Sequence, residues 1–255
     1  MIEINQLSKS FENKQALKEL TLSVAPGEIL GFLGPNGAGK TTTVKILAGM
    51  LMPSTGTARV AGFDVLSQPL EVKRRIGYVP ESGALFESLT AWEYLELVAE
   101  LHHLDRRTAH HRMQEFLSIF EIDDVKNQQL SSFSKGMKQK VLICAAILHN
   151  PEVLFFDEPL NGLDANTASI IKELLKRFAS QGKTILFCSH VLEVVERICT
   201  RLAIIHKGQL VVQGTADEIT RQTSQPTLEE AFNQLTGSRD VEAFTQEFIQ
   251  ALERV

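Results

Sequence analysis

The sequence predicts an α/β fold: a mixed sheet at the core, an antiparallel β subdomain at the N-terminal end, and an α-helical subdomain inserted in the middle. Three observations predict it. An apolar run over residues 28–33 passes through a glycine-rich loop into a helix-compatible run over 42–50. Strand-like runs recur at 153–156, 184–188 and 202–205 with helical runs between them, the alternation of a mostly parallel sheet. Residues 82–129 carry helical spacing and no good strand.

Taken in order, residues 2–7 and 20–24 alternate apolar and polar side chains, as half-buried antiparallel strands do, and Pro26-Gly27 marks a turn after them. The following strand leads into Gly34-Pro35-Asn36-Gly37-Ala38-Gly39-Lys40-Thr41-Thr42, which fits the G-x-x-x-x-G-K-[ST] phosphate loop without a mismatch. Glycines let successive backbone N–H groups turn inward around a phosphate, and the helix behind them adds its positive dipole end. Lys40 is placed to reach the β- and γ-phosphates and Thr41 to put its hydroxyl on Mg²⁺. The plain alternative is a glycine-rich turn that happens to hold Lys-Thr; the strand before it and the helix after it argue against that. The core is therefore expected to be that of a P-loop NTPase.

Further strands are expected at 59–61 and 76–79. In the insertion, Thr90-Ala91-Trp92-Glu93 has capping-box spacing, with Tyr94, Leu95, Val98 and Leu101 as an apolar stripe, and a second amphipathic run covers 109–120. The inserted subdomain is set at about 82–150. The apolar strand after it ends in Asp157-Glu158, and ligands of an open parallel sheet collect at the carboxyl ends of its strands. Asp157 is thus a candidate Mg²⁺ ligand, and Glu158 a candidate for polarising the water that attacks the γ-phosphate. A helix over 167–179 stops at Gly182, and the next strand ends in Ser189-His190, which puts His190 near the γ-phosphate. His206-Lys207-Gly208-Gln209 reads as a hairpin turn into 210–213. Residues 217–223 and 238–255 look helical and charged, so the division is 1–220 for the nucleotide-binding domain and 221–255 for a helical tail of unassigned purpose.

Composition excludes some classes. The chain has 255 residues, 44% hydrophobic and 22% charged, with a net charge of −5, which speaks against broad nucleic-acid binding. The N-terminus does not read as a signal peptide, and the apolar run over 141–148 is far too short to cross a bilayer. Cys144, Cys188 and Cys199 are scattered, as small buried hydrophobes of a reducing compartment would be. Four of the seven histidines (His102, His103, His110 and His111) lie in the insertion; neighbours on a helix diverge by about 100°, so a solvated polar face is the better reading than a metal site.

The order of these motifs resembles the nucleotide-binding subunit of an ATP-binding-cassette (ABC) transporter over nearly the whole chain. Phe133-Ser134-Lys135-Gly136-Met137 stands where that family carries its signature, Asn161-Gly162-Leu163-Asp164 is similar to its D-loop, and Ser189-His190 to its switch histidine. Phe11 falls where an aromatic ring stacks on adenine, the plain alternative being a ring that fills the core of the early sheet. The resemblance implies ATP and Mg²⁺ as ligands. It implies a homodimer, or a pair with a related ATPase, in which each ATP lies between one phosphate loop and the partner's signature helix. It also implies membrane-spanning permease subunits, a place on the cytoplasmic face of the membrane, and no nucleic-acid partner. Ser134 is a good N-cap, so the helix behind it can aim its positive end at a phosphate; Lys135 and Lys138 oppose that dipole by a few tenths of a kcal/mol each unless an anion sits there.

Two departures from the commonest pattern are Lys135-Gly136-Met137 within the signature and Glu81 after Tyr78-Val79-Pro80, where Gln is usual. Glu81 still offers oxygens to Mg²⁺ or water and is expected to keep a catalytic coupling role. Both variants, and residues 226–232, resemble the ATPases of ABC-2 exporters. The family further implies that residues 83–86 help form a groove for a helix of the membrane subunit, which an exposed Leu85/Phe86 pair would support. The alternative function is a soluble ABC-family ATPase of translation or repair, although the tandem cassettes, long coiled coils or zinc modules usual there are not seen in this sequence.

Overall fold

The structure, a computed structural model, describes residues 1–12, 14–81, 85–237, 245 and 249–252. It begins with two long antiparallel strands, β1 (Ile2–Phe11) and β2 (Lys14–Val24). Then come β3 (Ile29–Leu33), α1 (Lys40–Leu47), β4 (Thr55–Val60), β5 (Phe63–Asp64), α2 (Pro69–Arg75) and β6 (Ile76–Val79). Helices α3 (Ala91–Leu101), α4 (Arg106–Ile119) and α5 (Lys135–Ile147) follow, with two 3₁₀ turns between α4 and α5. The chain returns through β7 (Val153–Asp157), α6 (Ala165–Ser180), β8 (Thr184–Cys188) and α7 (Leu192–Ile198). It continues with β9 (Arg201–His206), β10 (Gln209–Gly214), α8 (Ala216–Thr223) and α9 (Leu228–Thr236).

Two sheets result. One is antiparallel, in the order β2-β1-β4-β5; the other has six strands in the order β10-β9-β3-β8-β7-β6, parallel except for the β9–β10 hairpin. The mixed sheet, the antiparallel sheet and the strand-free helical stretch are the expected architecture. The six-stranded sheet is covered on both sides, which is why β3, β7 and β8 are buried at every residue and show no alternation. Leu33, Phe156, Phe187 and Ile204 pack on one side with α5, α6 and α7; Phe32, Phe155, Leu186 and Ile205 pack on the other with α1 and the antiparallel sheet.

The N-terminal strands run further than the expected 2–7 and 20–24. Their register shifts between Ile4 and Leu7, and Gln6 and Glu19 take positive φ of 47° each. Such bulges break the two-residue period on which the expectation rested. The Ser8 hydroxyl accepts from the Glu19 amide at 2.9 Å, and the Thr21 hydroxyl from the Gln6 amide at 3.0 Å, so the bulged backbone stays hydrogen-bonded.

Between β6 and β7 the described residues form helices and turns, with a single isolated bridge from Thr90 to Gln129. The capping box closes as its spacing requires: Glu93 accepts from the Thr90 amide at 2.8 Å and Thr90 from the Glu93 amide at 3.1 Å. At the other end of the chain, residue 220 lies inside α8, whose Ile219 is buried in the same cluster as Leu228 and Ala231 of α9. Most of residues 238–255 lie outside the described part.

The histidines of the insertion are not one solvated face. His103 and His111 are exposed, but the His110 ring sits 5.3 Å from that of Trp92, with Nε2 3.0 Å from Glu96. His102 stacks on His149 at 3.6 Å between centroids. Among the described residues no cluster of His, Cys, Asp and Glu has a metal-holding arrangement. His149 Nε2 lies 2.9 Å from the Ile76 carbonyl, and burial together with His102 pushes its pKa down from 6.5 to about 4. The folded chain thus refuses a proton that the unfolded chain accepts. Stability from neutral His149 is complete above about 6.5 and is lost as pH falls towards 4. His149→Asn should make melting temperature fall less steeply across that window, with the exposed-site change His111→Asn as control; parallel curves would refute the assignment.

Candidate functional site

Four strands of the six-stranded sheet end at one cleft of about 740 Å³. After β3 the chain turns through the glycine-rich loop into α1. Gly39 makes that entry possible: its φ is +116°, and a Cβ there would lie 2.8 Å from the Ala16 carbonyl oxygen. Gly34, Pro35, Asn36, Gly37, Gly39, Lys40, Thr41 and Thr42 all line the cleft. Ala38 does not. It is buried beneath the loop, with its carbonyl accepting from the Gly208 amide at 2.9 Å, so it ties the loop to the β9–β10 turn. Lys40 is buried, and its amine donates to the Gly34 carbonyl at 2.6 Å and the Pro35 carbonyl at 3.3 Å. A cation is thereby held inside the curl of the loop, where an anion would meet it.

The parallel register pairs Asp157 with Cys188, so β7 and β8 end level and release Glu158 and Ser189-His190 side by side. The Thr41 hydroxyl donates to Asp157 Oδ2 at 2.8 Å, which joins the loop to the acidic strand. Burial raises the Asp157 pKa, and the carboxylates of Glu81 and Glu158 raise it further, against the Thr41 hydrogen bond and the Lys40 charge. The same burial, with Asp157 and Glu81 nearby, pushes up the Tyr78 hydroxyl. Negative charge is crowded here with little water to relieve it.

Glu158 takes a positive φ of 51°, a conformation that costs a non-glycine residue roughly 1–3 kcal/mol and gathers at functional sites. Its carboxylate is buried and held from two directions: Oε1 is 2.8 Å from His190 Nδ1, and Oε2 accepts from the Ser189 hydroxyl at 3.4 Å. Its amide donates to the Cys188 carbonyl at 3.0 Å. Glu81, Asp157, Glu158 and His190 all line the cleft, as does Phe11, whose ring is 44% exposed. These are the positions the sequence analysis singled out.

Ser134, Lys135 and Gly136 are elsewhere. They begin α5 outside the cleft, with exposed Ser134 accepting from the Met137 amide at 3.2 Å as the N-cap. Gly136 has a reason within its own chain: a Cβ there would lie 2.5 Å from the Gly162 carbonyl oxygen. Lys138 needs no external anion, since its amine pairs with Glu87 at 2.6 Å. Asp164 caps α6, accepting from the Thr167 amide at 2.9 Å. Buried Gln139 reaches from α5 to the Pro159 carbonyl at 3.0 Å, which ties the signature helix to the turn after Glu158.

Sequence reasoning missed three lining residues: Lys14, Ala16 and Phe232. Lys14 and Ala16 follow Phe11 on the next strand and had no motif to mark them. Phe232 comes from the far end of the chain, where only its place in residues 226–232 set it apart. The Leu85/Phe86 expectation is half corrected. Leu85 is buried in the core and only Phe86 is exposed, at 62%; Gly83 and Ala84 lie outside the described residues.

The family described as "ABC transporter" matches residues 17–161. The chain is 38% identical over 225 residues to the ABC transporter ATP-binding protein NatA of Bacillus subtilis, covering 86% of this chain and 91% of that one. It is 36% identical over 222 residues to the daunorubicin resistance ATP-binding protein DrrA3 of Streptomyces coeruleorubidus, covering 87% and 70%. Among solved structures, an ATP-binding subunit of an ABC transporter superposes with a TM-score of 0.87 at 33% identity, over 92% of this chain and 99% of that one.

Proposed function

This chain belongs to the ABC transporter family as an ATP-binding, ATP-hydrolysing subunit, and from that premise we propose that it works as one half of a dimer that drives an ABC-2-type exporter. The observation that carries the proposal is the separation of the two halves of the site. The phosphate loop, Asp157, Glu158 and His190 share one cleft, whereas the capped, exposed start of α5 lies outside it. A helix N-terminus attracts phosphate through its free N–H groups and dipole. The reading is that a second copy supplies Ser134 and Gly136 to this cleft in a two-fold, isologous arrangement.

Within the cleft, Lys40 exchanges its loop carbonyls for the β- and γ-phosphates of ATP, and the loop amides bind the remaining oxygens. Phe11 offers its ring to the adenine. Thr41, Asp157 and Glu81 form a set of hard oxygen donors that fits Mg²⁺, and burial, with Glu81 and Glu158 nearby, raises the Asp157 pKa, a cost that a bound cation would relieve. Mg²⁺ held there would supply charge neutralisation on the triphosphate. Glu158 orients the attacking water and draws on its proton, while His190 holds the Glu158 carboxylate in place.

The membrane partner is proposed to dock on a groove of about 600 Å³ between the core and the inserted helices, lined by Met50, Leu70, Tyr94, Val98 and Leu101 among others. Met50, Leu70 and Leu101 are each more than half exposed there, an apolar patch of the kind that marks an interaction site. No helix among the described residues is long and apolar enough to cross a membrane. On this reading the chain works at the cytoplasmic face. The named resistance function of DrrA3 supports export as the direction.

A complementation assay tests the composite site. Lys40→Ala removes the loop cation and Ser134→Arg blocks the signature cap, so each variant alone should be inactive. Mixed in equal amounts, half of the dimers hold one intact composite site, and activity should return to about a quarter of the wild-type rate. A mixture as inactive as its parts would defeat the shared-site reading.

A further inference from the structure

Helix α9 is fastened to the ATPase core, and one of its side chains lines the nucleotide cleft. Leu228 and Ala231 are buried in the same core cluster as Val195, Ile198, Leu202 and Ile204, α9 packs against α8 and β9, and the Thr227 hydroxyl caps the helix by accepting from the Glu230 amide at 3.2 Å. Phe232, one residue on, is rotated by about 100° from Ala231 on a helix. It is half-buried, packs against the same cluster, and lines the cleft together with Lys40, Glu158 and His190.

The side from which it enters follows from the sheet. Leu33, Phe156, Phe187 and Ile204 face the layer that holds α7 and α9, and His190 lies two residues before the start of α7. Phe11 belongs to the antiparallel sheet, which packs against the opposite side of the six-stranded sheet. The two rings therefore reach the cleft from opposite sides: Phe11 with the N-terminal strands, Phe232 with His190 and Glu158. A ring in that second position has no charge to offer a phosphate. What it offers is apolar cover, and excluding water strengthens every charge interaction beside it.

We infer that Phe232 is an apolar wall at the phosphate end of the ATP site, in contact with the bound nucleotide, so that α9 is part of the nucleotide site. The inference rests on ATP occupying this cleft and goes beyond the shared-site reading by giving the C-terminal segment a place in it. Its ring shields the triphosphate, Lys40 and Glu158 from solvent on the side facing α7.

Trp92 of α3 is the only tryptophan, so Phe232→Trp in a Trp92→Phe background places a single reporter at the position. Its emission should change on adding MgATP and on adding Mg²⁺ with inorganic tripolyphosphate, and should not respond to adenosine. Thermal shift on the same sample reports binding independently. A MgATP thermal shift with no change in emission overturns the inference while leaving ATP binding intact; so does a response to adenosine with none to tripolyphosphate. Absence of any MgATP shift in the wild-type chain would instead count against the ATP reading itself.

Should the tryptophan variant fail to fold, Phe232→Leu keeps the apolar packing and removes the ring. It should weaken MgATP binding severalfold by calorimetry, through lost cover over the charged groups, with the ATP-free protein still folded and melting cooperatively. Equal affinity in the Phe232→Leu variant and the wild-type protein would show that the side chain only packs, and would overturn the inference.

Discussion

Glu158→Gln is expected to slow ATP hydrolysis by about 10²–10⁴-fold while MgATP still binds. The amide has the size of the carboxylate and retains an oxygen for the Ser189 hydroxyl, now 3.4 Å away, so the strained backbone at φ 51° keeps its support. What it loses is the negative charge that draws on the proton of the attacking water. It also removes one carboxylate from a cleft that already holds Asp157 and Glu81, which relieves repulsion against a triphosphate. Closure on ATP therefore becomes easier and opening by hydrolysis rarer. Light scattering should show a dimer that persists in MgATP and returns to monomer when nucleotide is removed. Hydrolysis near the wild-type rate would remove Glu158 from its role; a variant that bound MgATP yet stayed monomeric would count against ATP-driven closure.

Asp157→Asn should change activity and stability in opposite directions. Hydrolysis should drop by at least about 100-fold, because the principal carboxylate proposed for Mg²⁺ is gone. The ATP-free protein should nevertheless melt at a higher temperature at neutral pH. Burial, reinforced by Glu81 and Glu158, raises the Asp157 pKa above its usual 3.8, so the folded chain carries a charge that it disfavours. That cost is absent below about 3.8, where both states are protonated. It grows as pH rises through the window up to the raised folded value, and it stays constant above. The stabilisation from Asp157→Asn should therefore be largest at neutral pH and shrink on acidification. A lower melting temperature at pH 7 would mean that the Thr41 hydrogen bond at 2.8 Å outweighs the buried charge. Such trade-offs are expected where a site is built for function.

Much of the site was legible because its chemistry is local. Gly34 to Thr42 must be contiguous to cradle a phosphate, and Asp157-Glu158 and Ser189-His190 are legible because both follow unbroken apolar strands. The bulged N-terminal sheet was only half legible, since Gln6 and Glu19 interrupt the alternation that marks a strand. Lys138 shows the opposite limit. Its apparent conflict with the helix dipole suggested a missing anion, and the structure supplies that anion from Glu87, 51 residues away in sequence.

Phe232 was not legible as a cleft residue at all. Its position depends on Leu228 and Ala231 finding the core against α8 and β9, and no spacing along the chain encodes that.

The sequence by itself determined the phosphate loop, the acids at the strand ends, the helical insertion and the family, because each is written in contiguous residues whose backbone conformation and polarity follow from local chemistry. Only the tertiary structure decided which of these meet. The β7–β8 register sets Glu158 against His190, whereas α5 holds Ser134 and Gly136 away from the loop they are proposed to serve in a second copy. The physical reason is that packing of distant apolar side chains, summed over the whole core, selects those juxtapositions, and no short segment carries that sum.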